Sequence, residues 1–156
     1  MFQRCDTPPS TDGVDSLTNV ERLQLTDKSF ALDLDGHAGS NAKVIGAVLG
    51  KTALKDPANF GIYLSYLDKG MSYSDLGALV IKQVGAVTND SIVSRLWLNV
   101  IGSPASPLDK APFVKMLDDG MKAGDLVVLA AETTFNTSNI NLMGLALTGI
   151  EYIPIS

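Results

Sequence analysis

The hydrophobic period of this chain changes twice along its length. Apolar residues fall at Val20, Leu23 and Leu25 and then at Phe30, Leu32 and Leu34, the later set alternating with polar or small residues. Alternation puts one face of an extended strand against a core. Thr26-Asp27-Lys28-Ser29 separates the two runs with turn-forming residues, so the spacing predicts a β-hairpin within 12–35. After Asp35-Gly36 the spacing becomes three and four: Phe60, Tyr63, Leu64 and Leu67; Leu76, Leu79, Val80 and Val84; Val93, Leu96, Trp97 and Val100; Leu126, Leu129 and Ala130; Ile140, Met143 and Leu147. These are the stripes of amphipathic helices. From Ile150 to Ile155 the residues alternate once more, which suits a third strand beside the hairpin.

The helical part, 36–149, carries its own punctuation. Glycines at 50, 70, 102, 120 and 149 each close an apolar-periodic segment, where a left-handed residue ends a helix without a Cβ clash. Asp56-Pro57 and Ser106-Pro107 place an N-cap before a proline at the first helical position, and Ser72 with Asp75 resembles a capping box. Part of this punctuation occurs twice. Leu67-Asp68-Lys69-Gly70-Met71, Asp75-Leu76 and Leu79 return as Leu117-Asp118-Asp119-Gly120-Met121, Asp125-Leu126 and Leu129 at a constant offset of 50 (67 to 117, 75 to 125). More weakly, Asn89, Ser91 and Gly102 return as Asn136, Ser138 and Gly149. A period of this size marks stacked supersecondary units. The fold class expected is mainly α: about seven short helices in a compact bundle of two related halves, with a small N-terminal hairpin joined by the tail over 150–156.

Bulk composition narrows the function more than the fold. At 156 residues, 46% hydrophobic and 19% charged, the chain suits a single globular domain and not wholesale disorder. A net charge of −5, with scattered Lys and Arg, argues against nucleic-acid or anionic-membrane partners. Gly, Lys, Asp and Asn interrupt every apolar stretch before it reaches membrane-spanning length, so no membrane insertion is expected. Cys5 is the one cysteine and has no internal partner. Residues 1–11, with Thr7-Pro8-Pro9-Ser10-Thr11, read as a flexible leader without a secretory apolar run.

Two segments carry a resemblance. Leu96-Trp97-Leu98-Asn99-Val100-Ile101-Gly102-Ser103-Pro104, with Phe113 and Leu117-Asp118-Asp119-Gly120, resembles a helical domain of unknown function. That domain is common in bacterial secreted proteins with repeats-in-toxin calcium modules, in surface-layer proteins and in large adhesins. Ile101-Gly102-Ser103-Pro104 keeps the glycine of the family's Leu-Gly-Arg-x-Pro-Asp turn but lacks its Arg and Asp. Asp12-Gly13-Val14-Asp15-Ser16-Leu17-Thr18-Asn19-Val20-Glu21-Arg22-Leu23-Gln24-Leu25 is similar to the segment that follows calcium-binding repeats in such proteins. The resemblance implies an extracellular or cell-surface module of a bacterium and raises the expectation of calcium.

Candidate chemistry is sparse. Asp33 and Asp35, with Asn41 further on, place hard oxygens on a turn and are the candidate calcium ligands. His37 and Val44 stand where an EF-hand needs oxygen ligands, and the same turn also reads as a plain helix start capped by Ser40 or Asn41. His37 is the one histidine, which excludes a multi-histidine metal site. Asp68, Asp75, Asp118 and Asp125 are the carboxylates an acid–base hydrolase would use, although repeated placement at helix ends favours a structural role. Asn89-Asp90-Ser91 and Asn136-Thr137-Ser138 match the glycosylation pattern but read as helix caps. Tyr63, Tyr66, Trp97 and Phe113 are either core packing or the lining of a ligand pocket between the helical halves. The function expected is a non-enzymatic module of a secreted or cell-surface protein, acting in assembly or adhesion through a protein partner or further copies of itself, with calcium as the candidate cofactor. The alternative is a small-molecule or glycan-binding domain.

Overall fold

The computed structural model describes residues 2–4 and 15–156, with side chains from residue 18 onward. Cys5, Asp12 and most of the expected leader lie outside the described residues. Strand β1 (Phe2–Arg4) pairs antiparallel with β2 (Asp15–Leu17), so part of that leader is in a strand. The predicted hairpin is β3 (Arg22–Gln24) and β4 (Ser29–Ala31), in register at Leu23 and Phe30, with the turn closed by a 2.7 Å bond from Leu25 N to Lys28 O. The tail adds β5 (Ile150–Tyr152) on the other side of β4, giving the order β3-β4-β5. Ala31, Ile150 and Tyr152 turn one face of this sheet inward, as their alternation requires.

Between hairpin and tail the described residues form eight α-helices. Six of them make two three-helix units. The first holds α1 (His37–Leu49), α2 (Pro57–Asp68) and α3 (Tyr73–Gln83); the second holds α4 (Asn89–Ile101), α5 (Pro107–Asp118) and α6 (Ala123–Ala131). Within each unit the three helices pack on one another, and the units meet through α1 against α4 and α3 against α6. A short 3-10 turn (Lys51–Lys55) joins α1 to α2. Two more helices, α7 (Thr134–Asn139) and α8 (Leu142–Thr148), are broken apart at Asn141, which is left-handed at φ 53°. All five predicted helix-closing glycines have positive φ.

The repeated string is a helix-stopping device. Gly70 N bonds Leu67 O at 2.9 Å and Met71 N bonds Tyr66 O at 2.9 Å; Gly120 N bonds Leu117 O at 3.1 Å and Met121 N bonds Met116 O at 3.0 Å. This is the same Schellman closure twice, with buried Leu67 and Leu117 anchoring each helix end. Caps follow the sequence at Asp56, Ser72 and Ser106. The other caps do not. α1 begins at His37, ahead of Ser40 and Asn41, and its Ala38 N–H donates a hydrogen bond to Asp33 Oδ2 (3.2 Å). Thr88 and Thr133, not Asn89 and Asn136, cap α4 and α7.

Across the α3–α6 seam equivalent residues face each other. Gly124 lies against Ser74, Val127 lies against Gly77, and Ser74 Oγ donates to Asp125 Oδ1 at 2.5 Å. Residue touching its own equivalent is what an internal twofold produces. α1, whose apolar residues run all round, sits at the centre with Val44, Ile45, Ala47 and Val48 fully buried. Each large core side chain here, such as Ile45, Phe60, Leu64 and Leu76, contributes about 1.5–3 kcal/mol by burial. No helix among the described residues is long and apolar enough to cross a membrane.

Candidate functional site

The two units differ in how they are covered, and the second is open. α4 presents Val93, Leu96, Trp97, Val100 and Ile101, a stripe at spacings of three and four, to a groove of about 290 Å³. Phe113 of α5, Leu126, Leu129 and Ala130 of α6, and Thr133 and Phe135 at the start of α7 complete its walls. The rings of Trp97 and Phe113 meet with centroids 6.1 Å apart and planes tilted by 60°. Such a tilted pair sets the positive edge of one ring towards the negative face of the other.

In the first unit the equivalent space is closed. Adding 50 to Tyr63 and Gln83 gives Phe113 and Thr133, and adding 52 to Ile45 gives Trp97. Tyr63 donates its hydroxyl to Gln83 Oε1 at 2.8 Å and so ties α2 to α3 across the gap. Burial, with lesser contributions from Tyr66 and Asp56, pushes the Tyr63 hydroxyl pKa up, and it stays protonated as a donor. Phe113 has no hydroxyl. Thr133 is occupied within its own turn, donating to Ala130 O at 2.8 Å and accepting from Asn136 N at 3.2 Å.

The groove is therefore a cleft whose accessible lining is almost wholly apolar, and no ionisable group lines it. Its chemistry is the removal of apolar surface from water. Of the four expected pocket residues the structure brings Trp97 and Phe113 together here, while Tyr63 is buried against α3 and Tyr66 is on the exposed side of α2. Ile101, Leu129 and Phe135, all exposed at the rim, join the site without being marked by the aromatic pattern. For Phe135 the signal is a charge gap, since from Thr133 to Ile150 there is no Asp, Glu, Lys, Arg or His in a chain of net charge −5; Ile101 and Leu129 lie outside it.

The expected calcium ligands are placed differently from one another. Asp33 accepts from the Arg22 guanidinium through Oδ1 and from Ala38 N through Oδ2. Asp35 is exposed in the turn ahead of α1. Asn41 is fully buried, its amide donating to Phe60 O at 2.9 Å. Arg22 reaches on to Asp68 at 3.0 Å, and His37 Nδ1 lies 2.8 Å from the same carboxylate, so this cluster clamps the hairpin onto the ends of α1 and α2. Among the described residues no three His, Cys, Asp or Glu side chains form a metal-holding group.

The four repeated carboxylates have separate partners: Asp68 bonds Arg22, Asp75 bonds Ser72, Asp118 bonds Asn89 and Asp125 bonds Ser74. Asn136, the second asparagine of the glycosylation pattern, is fully buried. Comparison of the chain with protein-family models, with curated proteins and with solved structures returned no match.

Proposed function

We propose that this chain is a non-enzymatic module that acts through protein–protein contact, and that the groove between α4, α5, α6 and α7 is the contact surface. The observation that carries this reading is the groove's composition: an aromatic pair, aliphatic walls, and an almost wholly apolar accessible lining. Aromatic anchors in a desolvated cleft are the usual centre of a protein interface. A glycan would need converging donors and acceptors, which these walls do not offer. The resemblance of 12–25 and 96–120 to modules of bacterial secreted proteins supports an extracellular or cell-surface setting. Calcium is not required by this reading.

Trp97 is the chain's single tryptophan and reports on the groove alone. Titrating anilinonaphthalene sulfonate, a dye that lights up on apolar surface, into the full chain is expected to quench Trp97 by energy transfer. Leu129→Glu, at the groove rim, is expected to weaken that response about tenfold or more. Neutral oligosaccharides are expected to leave Trp97 emission unchanged. A saccharide-dependent shift, with no dye response, would replace this reading by the glycan-binding one.

A further inference from the structure

We infer that the occupant of the groove is a second copy of this chain, in a twofold dimer where Met143 and Leu147 of each α8 enter the other copy's groove; this rests on the protein-contact reading above. α8 has no buried residue. Its Leu142 and Leu145 lean on the core, whereas Met143 and Leu147, one turn apart, are 86% and 82% exposed. Two aliphatic side chains that far into water on one short helix form a knob with no partner in the monomer. Met143 adds an adaptable, polarisable tip suited to an aromatic floor.

Charge favours this partner. Two copies at −5 repel except where neither carries charge, and the uncharged stretch 133–150 contains both the knob and the Phe135 rim of the groove. Area favours it as well. Ile101, Leu129, Phe135, Met143 and Leu147 together leave on the order of 600 Å² of apolar surface in water, at the top of the range for a monomer's largest patch. With a polar rim this approaches the roughly 800 Å² per partner of a standard interface.

Closure follows from adjacency. α7, which gives Phe135 to the groove, packs directly on α8, so knob and groove are neighbours on one chain. Each copy can then offer both at once, which closes a dimer and leaves no open chain. The tail's place on α2 has no counterpart on α5. Over α2 the tail approaches so closely that a Cβ on Gly61 would lie 2.9 Å from the Ile153 carbonyl carbon and closer still to its oxygen. The equivalent residue of α5 is Ala111, whose Cβ blocks that approach.

The test is sedimentation velocity on the full chain over a concentration series, with Trp97 emission read on the same samples. The wild type is expected to dimerise as Trp97 emission moves to the blue. Met143→Glu and Leu147→Glu, both on exposed positions that leave the fold intact, are each expected to weaken the dimer about a hundredfold. An equimolar mixture of M143E/L147E with L129E keeps one intact knob facing one intact groove, and is expected to recover a weak heterodimer. A wild type that stays monomeric throughout, or a dimer indifferent to the α8 changes, overturns the proposal. If the monomer still transfers energy from Trp97 to the dye, only the second-copy assignment falls; if it does not, the groove reading falls with it.

Discussion

Gly124→Ala tests whether the two units are held by a seam that admits no side chain. A Cβ built on Gly124 lies 2.8 Å from both the carbonyl carbon and the Oγ of Ser74, and closer still to the carbonyl oxygen. Ordinary contact between carbon and a carbonyl oxygen begins near ~3.3 Å, so α3 and α6 must part. The obstacle is backbone and cannot swing aside. Overpacking of this kind costs about 1–3 kcal/mol, and separating the helices also stretches the Ser74–Asp125 hydrogen bond, worth about 1 kcal/mol. Against this, alanine gains up to about 1 kcal/mol in helix propensity, and less in the first turn, where residue 124 sits. The expected net loss is about 2–3 kcal/mol, or about 4–12 °C in Tm for a chain this long. Urea unfolding followed by circular dichroism measures it, with an unchanged m value showing that the unfolded state is not responsible. Gly70→Ala is the control: nothing lies within 4 Å of its Cβ, and its φ of 97° predicts a loss of only about 1–2 kcal/mol from left-handed backbone. If Gly124→Ala is neutral or stabilising while Gly70→Ala is not, the seam is not close-packed and the twofold description is wrong.

Asn136→Ala is expected to cost about 2–4 kcal/mol in the same unfolding assay, because the Asn136 amide donates to Lys43 O and Ala131 O inside the protein, and its loss removes both bonds and strands the Ala131 carbonyl at the end of α6; a loss under about 1 kcal/mol would mean that water replaces it. At alkaline pH the expected signature comes from Tyr73. Burial, then its hydrogen bond to Glu132, raises the pKa of this hydroxyl, so above pH 10.0 the folded chain holds a proton that the unfolded chain releases. Stability from this group is complete below pH 10.0 and declines as pH rises beyond it, and Tyr73→Phe is expected to flatten that decline between about pH 9 and 11.5. Identical slopes for the two proteins would remove Tyr73 from the account.

Local chemistry made much of this fold legible. The glycine stops, the Asp56, Ser72 and Ser106 caps, and the hairpin with its third strand all follow from residues acting on their immediate neighbours. What was hidden depends on contacts distant in sequence. Asp33 caps α1 from outside the helix while also meeting Arg22 of β3, and no spacing rule announces that double use. The break between α7 and α8 turns on Asn141 adopting a left-handed conformation inside an otherwise continuous apolar period. Periodicity placed Tyr63 and Phe113 on helix faces but could not say which face would be roofed. That depended on Gln83 standing opposite one ring and Thr133 opposite the other.

The pattern of identity between the two units has a physical reading of its own. The residues that match are those of the internal junction: Leu67 and Leu117, Gly70 and Gly120, Met71 and Met121, Asp75 and Asp125. They close one helix and start the next, setting α3 against α6, while the residues that touch across the seam, Ser74 with Gly124 and Gly77 with Val127, differ between the units. The residues of the cover differ as well. Gly61 admits the backbone of the tail, whose Ile153 N bonds Pro57 O at 2.9 Å, while Ala111 does not. Tyr63 and Gln83 close a gap that Phe113 and Thr133 leave open. The tail therefore covers α2 and not α5, and the second unit keeps its aromatic pair exposed to a cleft. Openness confined to the unit next to the uncharged α7–α8 segment is the arrangement expected if the missing cover is supplied by another molecule.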